Sequence, residues 1–358
     1  HNAISASYSQ RGDYGLAQLH LSVALEQSQA IGDRLTEATA LSNIGHLYYR
    51  QGRYRLADEQ YTSALEIVRE IGARFIEVRL LNDQGASYLE ASMAGQGSFV
   101  DVARQLYDQA LVLAEDLGTQ IQIGLIKSNL ALTYFLEEDY DTARQLTNEA
   151  LPIFERAGVP SLTATAQLIL GGIALEQGDL ESSYQYADTA RAAFDTNYER
   201  PLLTLSLVNL GMVSEVNADY VAAIDYYNQA ITVLESILND TALDNAIANL
   251  TTLGKNTWPY QRLATLLARS GDLETGFRSA ERGASLLVRL QLSTELIDYS
   301  ETLDPELIAQ ERQLRESVNE HQRVLDATNS DFQAGRATSA DVQHASRDLD
   351  AARLLFRI

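Results

Sequence analysis

Hydrophobic positions along the chain recur at helical rather than strand spacing. In "ALSNIGHLYYR", residues 40–50, Leu41, Ile44 and Tyr48 fall three or four apart, and in "YRLADEQYTSALEIV", residues 54–68, Leu56, Tyr61, Ala64 and Leu65 do the same. That spacing gathers apolar side chains on one face of an α-helix. The two segments are separated by "QGR", residues 51–53, and together predict a helical hairpin.

The hairpin recurs along the chain. With Gly45 as anchor, the equivalent column reads Ser5, Gly45, Gly85, Ala131, Gly171, Gly211 and Ala264, at spacings of 40, 40, 46, 40, 40 and 53. Three residues on stand Tyr8, Tyr48, Tyr88, Tyr134, Ala174, Ser214 and Leu267. Further columns hold Ala17, Ala57, Ala103, Ala143, Ser183, Ala223 and Gly276, then Ala24, Ala64, Ala110, Ala150, Ala190, Ala230 and Gly283. Small residues let paired helices approach, and large rings fill the space left beside them. Two series of glycines mark the loops: Gly12, Gly52, Gly178 and Gly271 inside the hairpins, and Gly32, Gly72, Gly118 and Gly158 after the second helices. Glycine is favoured where a helix ends in a left-handed residue.

Small residue, Tyr, Gly-x-Tyr, Ala, Tyr, Ala-Leu in this order resembles the tetratricopeptide repeat in a long form of about 40 residues. The resemblance covers residues 1–290, with repeats near 1–32, 33–72, 73–118, 119–158, 159–198, 199–238 and 257–290. It implies an all-α fold, a right-handed superhelical solenoid of about seven hairpins whose first helices line a concave groove, stabilised by nearest-neighbour stacking. "EASMAGQGSFV" adds six residues to the third hairpin turn, and Thr241, Asp244, Leu243, Ile247 and Leu250 predict an inserted capped helix near 241–253. Residues 291–358 are predicted to form a helical-hairpin or coiled-coil extension, a cap or linker. Asp304 and Pro305 open its first helix, with Leu307, Leu314, Val318 and Leu325 on one stripe. Gly335 breaks it, and Thr338 with Asp341 opens the second, carrying Val342, Ala345, Leu349, Ala352 and Phe356.

The segment "GFRSAERGASLLVRLQL" followed by "DPELIAQERQLRESV" is similar to the junction between tetratricopeptide repeats and a C-terminal CHAT domain, a caspase-like peptidase module, in bacterial multidomain proteins. That resemblance implies the sensor or scaffold half of such a protein. The catalytic His and Cys belong to the later module, and no residue of this chain matches them.

Composition changes this picture little. Hydrophobic residues make up 46% of the chain and prolines number 5, as a helical protein with an ample core requires. Lys and Arg total 27 against 49 Asp and Glu, giving a net charge of −22. Nucleic acid and anionic membranes, both bound through clustered cations, are excluded as partners on that ground, whereas a basic peptide would be attracted. Cysteine is absent, which removes disulfides, zinc thiolates and a cysteine nucleophile. No run of 18 apolar residues and no basic-then-apolar start appears, which points to a cytoplasmic chain.

No catalytic, metal or cofactor constellation stands out. The five histidines, His1, His20, His46, His321 and His344, are never paired at ligand spacing, and carboxylates such as Glu137, Glu138 and Asp139 read as solvated surface. Eleven of the 18 tyrosines fall in repeat columns and read as core: Tyr8, Tyr14, Tyr48, Tyr54, Tyr61, Tyr88, Tyr107, Tyr134, Tyr140, Tyr220 and Tyr227. The first-helix positions left over predict the groove: Asn43, His46, Tyr49, Arg79, Asn82, Leu125, Asn129, Leu132, Phe135, Leu168, Leu205, Asn209 and Met212. Asn43, Asn129 and Asn209 recur in one column, where an amide either holds an extended peptide backbone or bridges neighbouring hairpins. The apolar middle suits a hydrophobic or amphipathic peptide, or the chain's own C-terminal helices. The expected activity is non-catalytic recognition of a protein or peptide. It is exercised either beside a CHAT peptidase domain on the same polypeptide or as a stand-alone adaptor or signalling-peptide receptor, which long-repeat sensors resemble.

Overall fold

The computed structural model describes residues 14–196, 199–240 and 258–295, with scattered positions between 317 and 348. Chain contacts divide it into two units, His1–Ser293 and Thr294–Ile358. Thirteen helices and no strand occur among the described residues. The first, α1 (Tyr14–Ile31), is the second helix of the first repeat. Six complete hairpins follow: α2 (Arg34–Arg50) with α3 (Tyr54–Glu70), α4 (Arg74–Met93) with α5 (Val100–Leu117), α6 (Gln120–Leu136) with α7 (Tyr140–Ala157), α8 (Pro160–Glu176) with α9 (Leu180–Thr196), α10 (Arg200–Val216) with α11 (Tyr220–Asp240), and α12 (Trp258–Ser270) with α13 (Leu273–Glu295). The predicted helix at 241–253 and the start of the first repeat lie outside the described residues, as do most of the positions predicted for the C-terminal helices. None of the described helices is long and apolar enough to cross a membrane.

The first unit is a solenoid. From α1 to α12 each helix packs on the next, Ser279 Oγ of α13 donates to the Tyr260 carbonyl of α12 at 3.1 Å, and the first helices of successive hairpins also touch one another, α2 with α4, α4 with α6, α6 with α8 and α8 with α10. These five first helices therefore form one continuous wall.

What holds the hairpins together is a large buried ring seated over a small residue, in most of them a glycine. Tyr61 of α3 covers Gly45, Tyr107 of α5 covers Gly85, and Tyr227 of α11 covers Gly211, each ring fully buried. In the fourth and fifth repeats that ring column holds Thr147 and Ala187 instead. The lost volume returns two helical turns later as Phe154 and Phe194, both buried. Phe154 then lies over Gly124, two turns before the old anchor, and Phe194 clusters with Ala164. Interiors conserve volume more strictly than position, so the close approach moves with the ring.

The loops follow the glycine series. Gly52, Gly178 and Gly271 inside the hairpins have φ of 69°, 79° and 92°, and Gly32, Gly72, Gly118 and Gly158 between them lie at 65° to 71°. Two hairpin turns lack glycine and force Glu138 (φ 64°) and Ala218 (φ 59°) into the same left-handed conformation. After four of the hairpin turns an aspartate caps the next helix: Asp139 accepts from Thr142 N, Asp179 from Ser182 N, Asp219 from Ala222 N and Asp272 from Thr275 N, all at 3.1 Å.

Two expectations need correction. The third-repeat insertion does not all enter the turn: α4 has 20 residues where α2 has 17, so three of the six lengthen the helix. Tyr220 is not core. It stands at the first position of α11, beyond the turn, 42% exposed with the Arg269 guanidinium 5.6 Å from its ring centre. Tyr260, outside the predicted set, is buried instead. In the C-terminal unit Thr338 and Asp341 cap each other: the Thr338 N–H donates to the carboxylate at 2.7 Å and the Asp341 N–H donates to Thr338 Oγ1 at 3.3 Å.

Candidate functional site

The wall of first helices carries the predicted groove residues, and none of them is fully buried. His46 and Arg79 are exposed, while Asn43, Tyr49, Asn82, Leu125, Asn129, Leu132, Phe135, Leu168, Leu205, Asn209 and Met212 are half-buried. Packing claims part of several. Leu125 leans on the cluster around Phe154, Leu168 on that around Phe194, Leu132 and Tyr49 on the large cluster of the second and third repeats, and Met212 on that around Tyr227 and Tyr260. Phe135 meets the Tyr140 ring edge-on at 5.6 Å.

The structure brings some of these residues together across hairpins. Asn129 Nδ2 donates to Asn82 Oδ1 at 2.8 Å, tying α6 to α4. Asn209 Oδ1 lies 3.3 Å from Ser183 Oγ, which also donates to the Gly171 carbonyl at 2.7 Å. Of the two roles open to the asparagine column, bridging between hairpins is the one these bonds show. Phe135 and Asn209, on α6 and α10, approach each other across Gly172, where a Cβ would lie 3.9 Å from both. Glycine at that point keeps the surface between them low. Arg79 and Leu205 share the wall without joining either group.

Near the start of the array the wall is a recess. His46 is reached by solvent, yet burial, with the nearby Arg50 charge adding to it, pushes its imidazole down to about 4. Its ring stacks at a tilt on Tyr49, 5.7 Å away, and Tyr49 meets Tyr54 edge-on at 6.2 Å.

Two carboxylates share this recess, and both are half-buried residues of α4. Burial lifts Glu90 to about 7, against the opposing hydrogen bond from Tyr49 Oη, which donates to Glu90 Oε1 at 2.6 Å. Burial lifts Asp83 to about 6, with Arg79 and Asn82 pulling it the other way. The hydroxyls of Tyr54, Tyr61 and Tyr107 are buried there with no hydrogen-bond partner. All three are held firmly protonated, first by burial and then by a neighbouring carboxylate: Glu90 for Tyr54, Asp83 for Tyr61, and Glu90 and Asp83 for Tyr107.

Sequence reasoning took these carboxylates for surface and these tyrosines for packing. One signal was in plain sight: the column of Asn43, Asn129 and Asn209, two residues before the anchor, holds Asp83 in the third repeat. Asn82, predicted for the groove, stands one position earlier. Among the described residues no group of three or more His, Asp or Glu side chains could hold a metal ion. The recess offers carboxylates, phenols and a neutral imidazole, an arrangement fit for binding a positively charged group.

Comparison with known proteins agrees on the architecture. Residues 1–70 match the family model described as Tetratricopeptide repeat. No curated protein matches the chain in sequence. Among solved structures, the apo form of RapI superposes with a TM-score of 0.61 at 13% identity, covering 81% of this chain and 97% of that one. A Rap protein complexed with Competence and Sporulation Factor gives 0.55 at 12% identity over 99% of this chain and 97% of that one. A signal transduction ATPase with numerous domains from Pyrococcus horikoshii, described as having a tetratricopeptide repeat sensor, gives 0.55 at 15% identity over 85% of this chain and 44% of that one. At these identities the likeness is one of fold.

Proposed function

We propose that this tetratricopeptide-type array is a non-catalytic recognition scaffold that receives a protein segment or peptide along the wall formed by α2, α4, α6, α8 and α10. The observation that carries the reading is the state of that wall. Thirteen predicted side chains on five successive first helices stay partly open to solvent, while His46, Asp83 and Glu90 are desolvated where they stand. A surface already stripped of much of its water gives up less on binding than a fully hydrated one. The stretch from Leu125 to Phe135 suits an apolar segment and the stretch around Asp83 and Glu90 a basic one. A likeness in fold to a Rap protein solved with Competence and Sporulation Factor, and to an ATPase with a tetratricopeptide repeat sensor, supports receptor use of such an array.

The test is selection of peptides from a random display library on the intact chain, followed by hydrogen exchange with and without the selected peptide. Protection confined to the first helices, and loss of binding in Leu132→Glu and Phe135→Glu, supports the reading. Protection on the second helices instead, or binding untouched by both substitutions, refutes it.

The sequence of residues 276–292 and 304–318, similar to a repeat-to-CHAT junction, favours one refinement, a sensor that governs a CHAT peptidase domain on the same polypeptide. The stand-alone adaptor or signalling-peptide receptor is the alternative. A reading frame that continues past Ile358 into an α/β domain bearing a His and a Cys selects the first, and a stop codon there selects the second.

A further inference from the structure

The recess at the second and third repeats is built in a way that packing does not explain. Tyr61 and Tyr107 could be phenylalanine and seat the same rings over Gly45 and Gly85. As tyrosines they bury hydroxyls with no partner, and Tyr54 adds a third. An unsatisfied buried hydroxyl is destabilising, and native proteins retain few without a use. The same recess keeps two carboxylates desolvated when a helix exposed to water could have held them cheaply.

These groups gather around α4: Tyr49 Oη donates to Glu90 Oε1 at 2.6 Å, the Tyr49 ring meets Tyr54 edge-on, and the Tyr107 ring lies over Gly85, between Asp83 and Glu90 along the helix. The Asp83 charge bears on the hydroxyls of Tyr61 and Tyr107, and the Glu90 charge on those of Tyr49, Tyr54 and Tyr107. Asp83 and Glu90 lie two turns apart on α4, about 10 Å along its axis, and the phenols of α3 and α5 come in beside them. Carboxylates only accept hydrogen bonds, and guanidinium and ammonium groups only donate them. A phenol does both, so it can accept from a cation while donating to a carboxylate. We propose that this locus binds one basic side chain, an arginine guanidinium or a lysine ammonium, presented by a peptide lying on the wall. The proposal deepens the peptide-recognition reading and rests on it. The net charge of −22 steers such a ligand inward.

Titration gives the site a signature. Above about pH 4 His46 on α2 is neutral, and Tyr49, Tyr54, Tyr61 and Tyr107 stay protonated; Arg50 beside His46 and Arg79 on α4, whose charge bears on Asp83, are the cations there. Asp83 and Glu90 are thus the facing groups that ionise between pH 5 and 8.

The experiment uses the intact chain and three capped pentapeptides, acetyl-Leu-Ala-X-Ala-Leu-amide with X as arginine, lysine or citrulline, the last a neutral copy of arginine. Two-dimensional NMR follows carboxyl and tyrosine ring signals. The proposal expects saturable shifts at Asp83, Glu90 and Tyr107 with arginine or lysine, none with citrulline, tighter binding at pH 8 than at pH 5.5, and no response in Asp83→Asn/Glu90→Gln. A second variant, Tyr61→Phe/Tyr107→Phe, should melt no lower than the parent yet bind about tenfold more weakly, the worth of one hydrogen bond to a charged group. Equal binding of the citrulline peptide, an unchanged response in the carboxamide variant, no saturable shift, or full affinity in the phenylalanine variant overturns it. A failed display selection with these shifts present would sink the groove reading and leave the cation site; selected peptides that bind with Asp83 and Glu90 silent would do the reverse.

Discussion

Adding one methyl group at the anchor column should have opposite effects in two repeats. In Gly211→Ala the new Cβ would lie 2.5 Å from Tyr227 Cε1, 2.8 Å from Cδ1 and 3.0 Å from Cζ. The ring cannot swing aside freely, because Tyr227 is fully buried and its hydroxyl donates to Glu215 at 3.0 Å, a carboxylate that Arg262 also holds at 3.0 Å. Overfilling a packed interior costs roughly 1–3 kcal/mol, and a pinned ring belongs at the upper end. Replacing a helical glycine by alanine returns about 1 kcal/mol of helix propensity. The net for Gly211→Ala is a loss of about 2 kcal/mol.

In Gly171→Ala the same methyl meets only the Ser183 carbonyl oxygen and Tyr186 Cβ at 3.4 Å and Ala187 N at 3.5 Å, ordinary contact distances. Here the ring column holds Ala187, so nothing has to move. The propensity gain stands almost alone, and the variant should be more stable by about 0.5–1 kcal/mol. Native-state hydrogen exchange reads each effect locally: slowly exchanging amides of α10 and α11 should speed up about thirtyfold in the first variant, while those of α8 and α9 slow severalfold in the second. Protection changing in the same direction in both variants would refute the idea that the glycine exists for the ring.

Three further outcomes are expected. Glu138→Gly and Ala218→Gly should each raise stability by about 0.5–1 kcal/mol in thermal melts, since a left-handed residue with a Cβ costs about 1–2 kcal/mol and glycine's extra freedom when unfolded offsets part of the relief; a lower melting point in both would contradict the assignment of strain. Asp83 and Glu90 hold their protons more tightly folded than unfolded, so their stabilising effect is complete in acid and is lost as pH rises from 3.8 and 4.5 through about 6 and 7. Parent and Asp83→Asn/Glu90→Gln melts between pH 4 and 8 should therefore diverge, the parent losing ground with rising pH, and parallel curves would dismiss the desolvation argument. A double-mutant cycle on Asn82→Ala and Asn129→Ala should give a coupling of about 1 kcal/mol, and additivity would mean that the 2.8 Å bond does not tie the hairpins together.

The array was legible because a solenoid writes its packing rule into the sequence once per repeat. Gly45, Gly85 and Gly211 with their tyrosines state the rule, and Phe154 and Phe194 restate it two turns along once Thr147 and Ala187 have removed the ring. The loops were legible for the same reason, down to the glycines that allow a left-handed residue; Glu138 and Ala218 were not, since their conformation is imposed by the hairpin rather than chosen by the residue. Tyr220 misled because a column fixes register along a helix and not the distance from an edge.

The chemistry of the recess was the part that columns could not carry, and the tyrosine column shows why. Tyr61, Tyr107 and Tyr227 occupy equivalent places and seat equivalent rings, so by pattern they are one residue. Their hydroxyls part company. Tyr227 finds Glu215, a carboxylate of its own hairpin, whereas Tyr61 and Tyr107 find no partner and come under the charge of Asp83 and Glu90. For Tyr61 that carboxylate belongs to the next hairpin, and stacking is what brings it there. A repeat pattern describes a hairpin with its neighbours averaged away, so a difference that lives between hairpins, whether a proton lifted on Asp83 or a hydroxyl left unsatisfied on Tyr61, is invisible to it. Recognition specificity in such an array should accordingly reside in those inter-hairpin differences, while the repeated columns serve only to hold them in place.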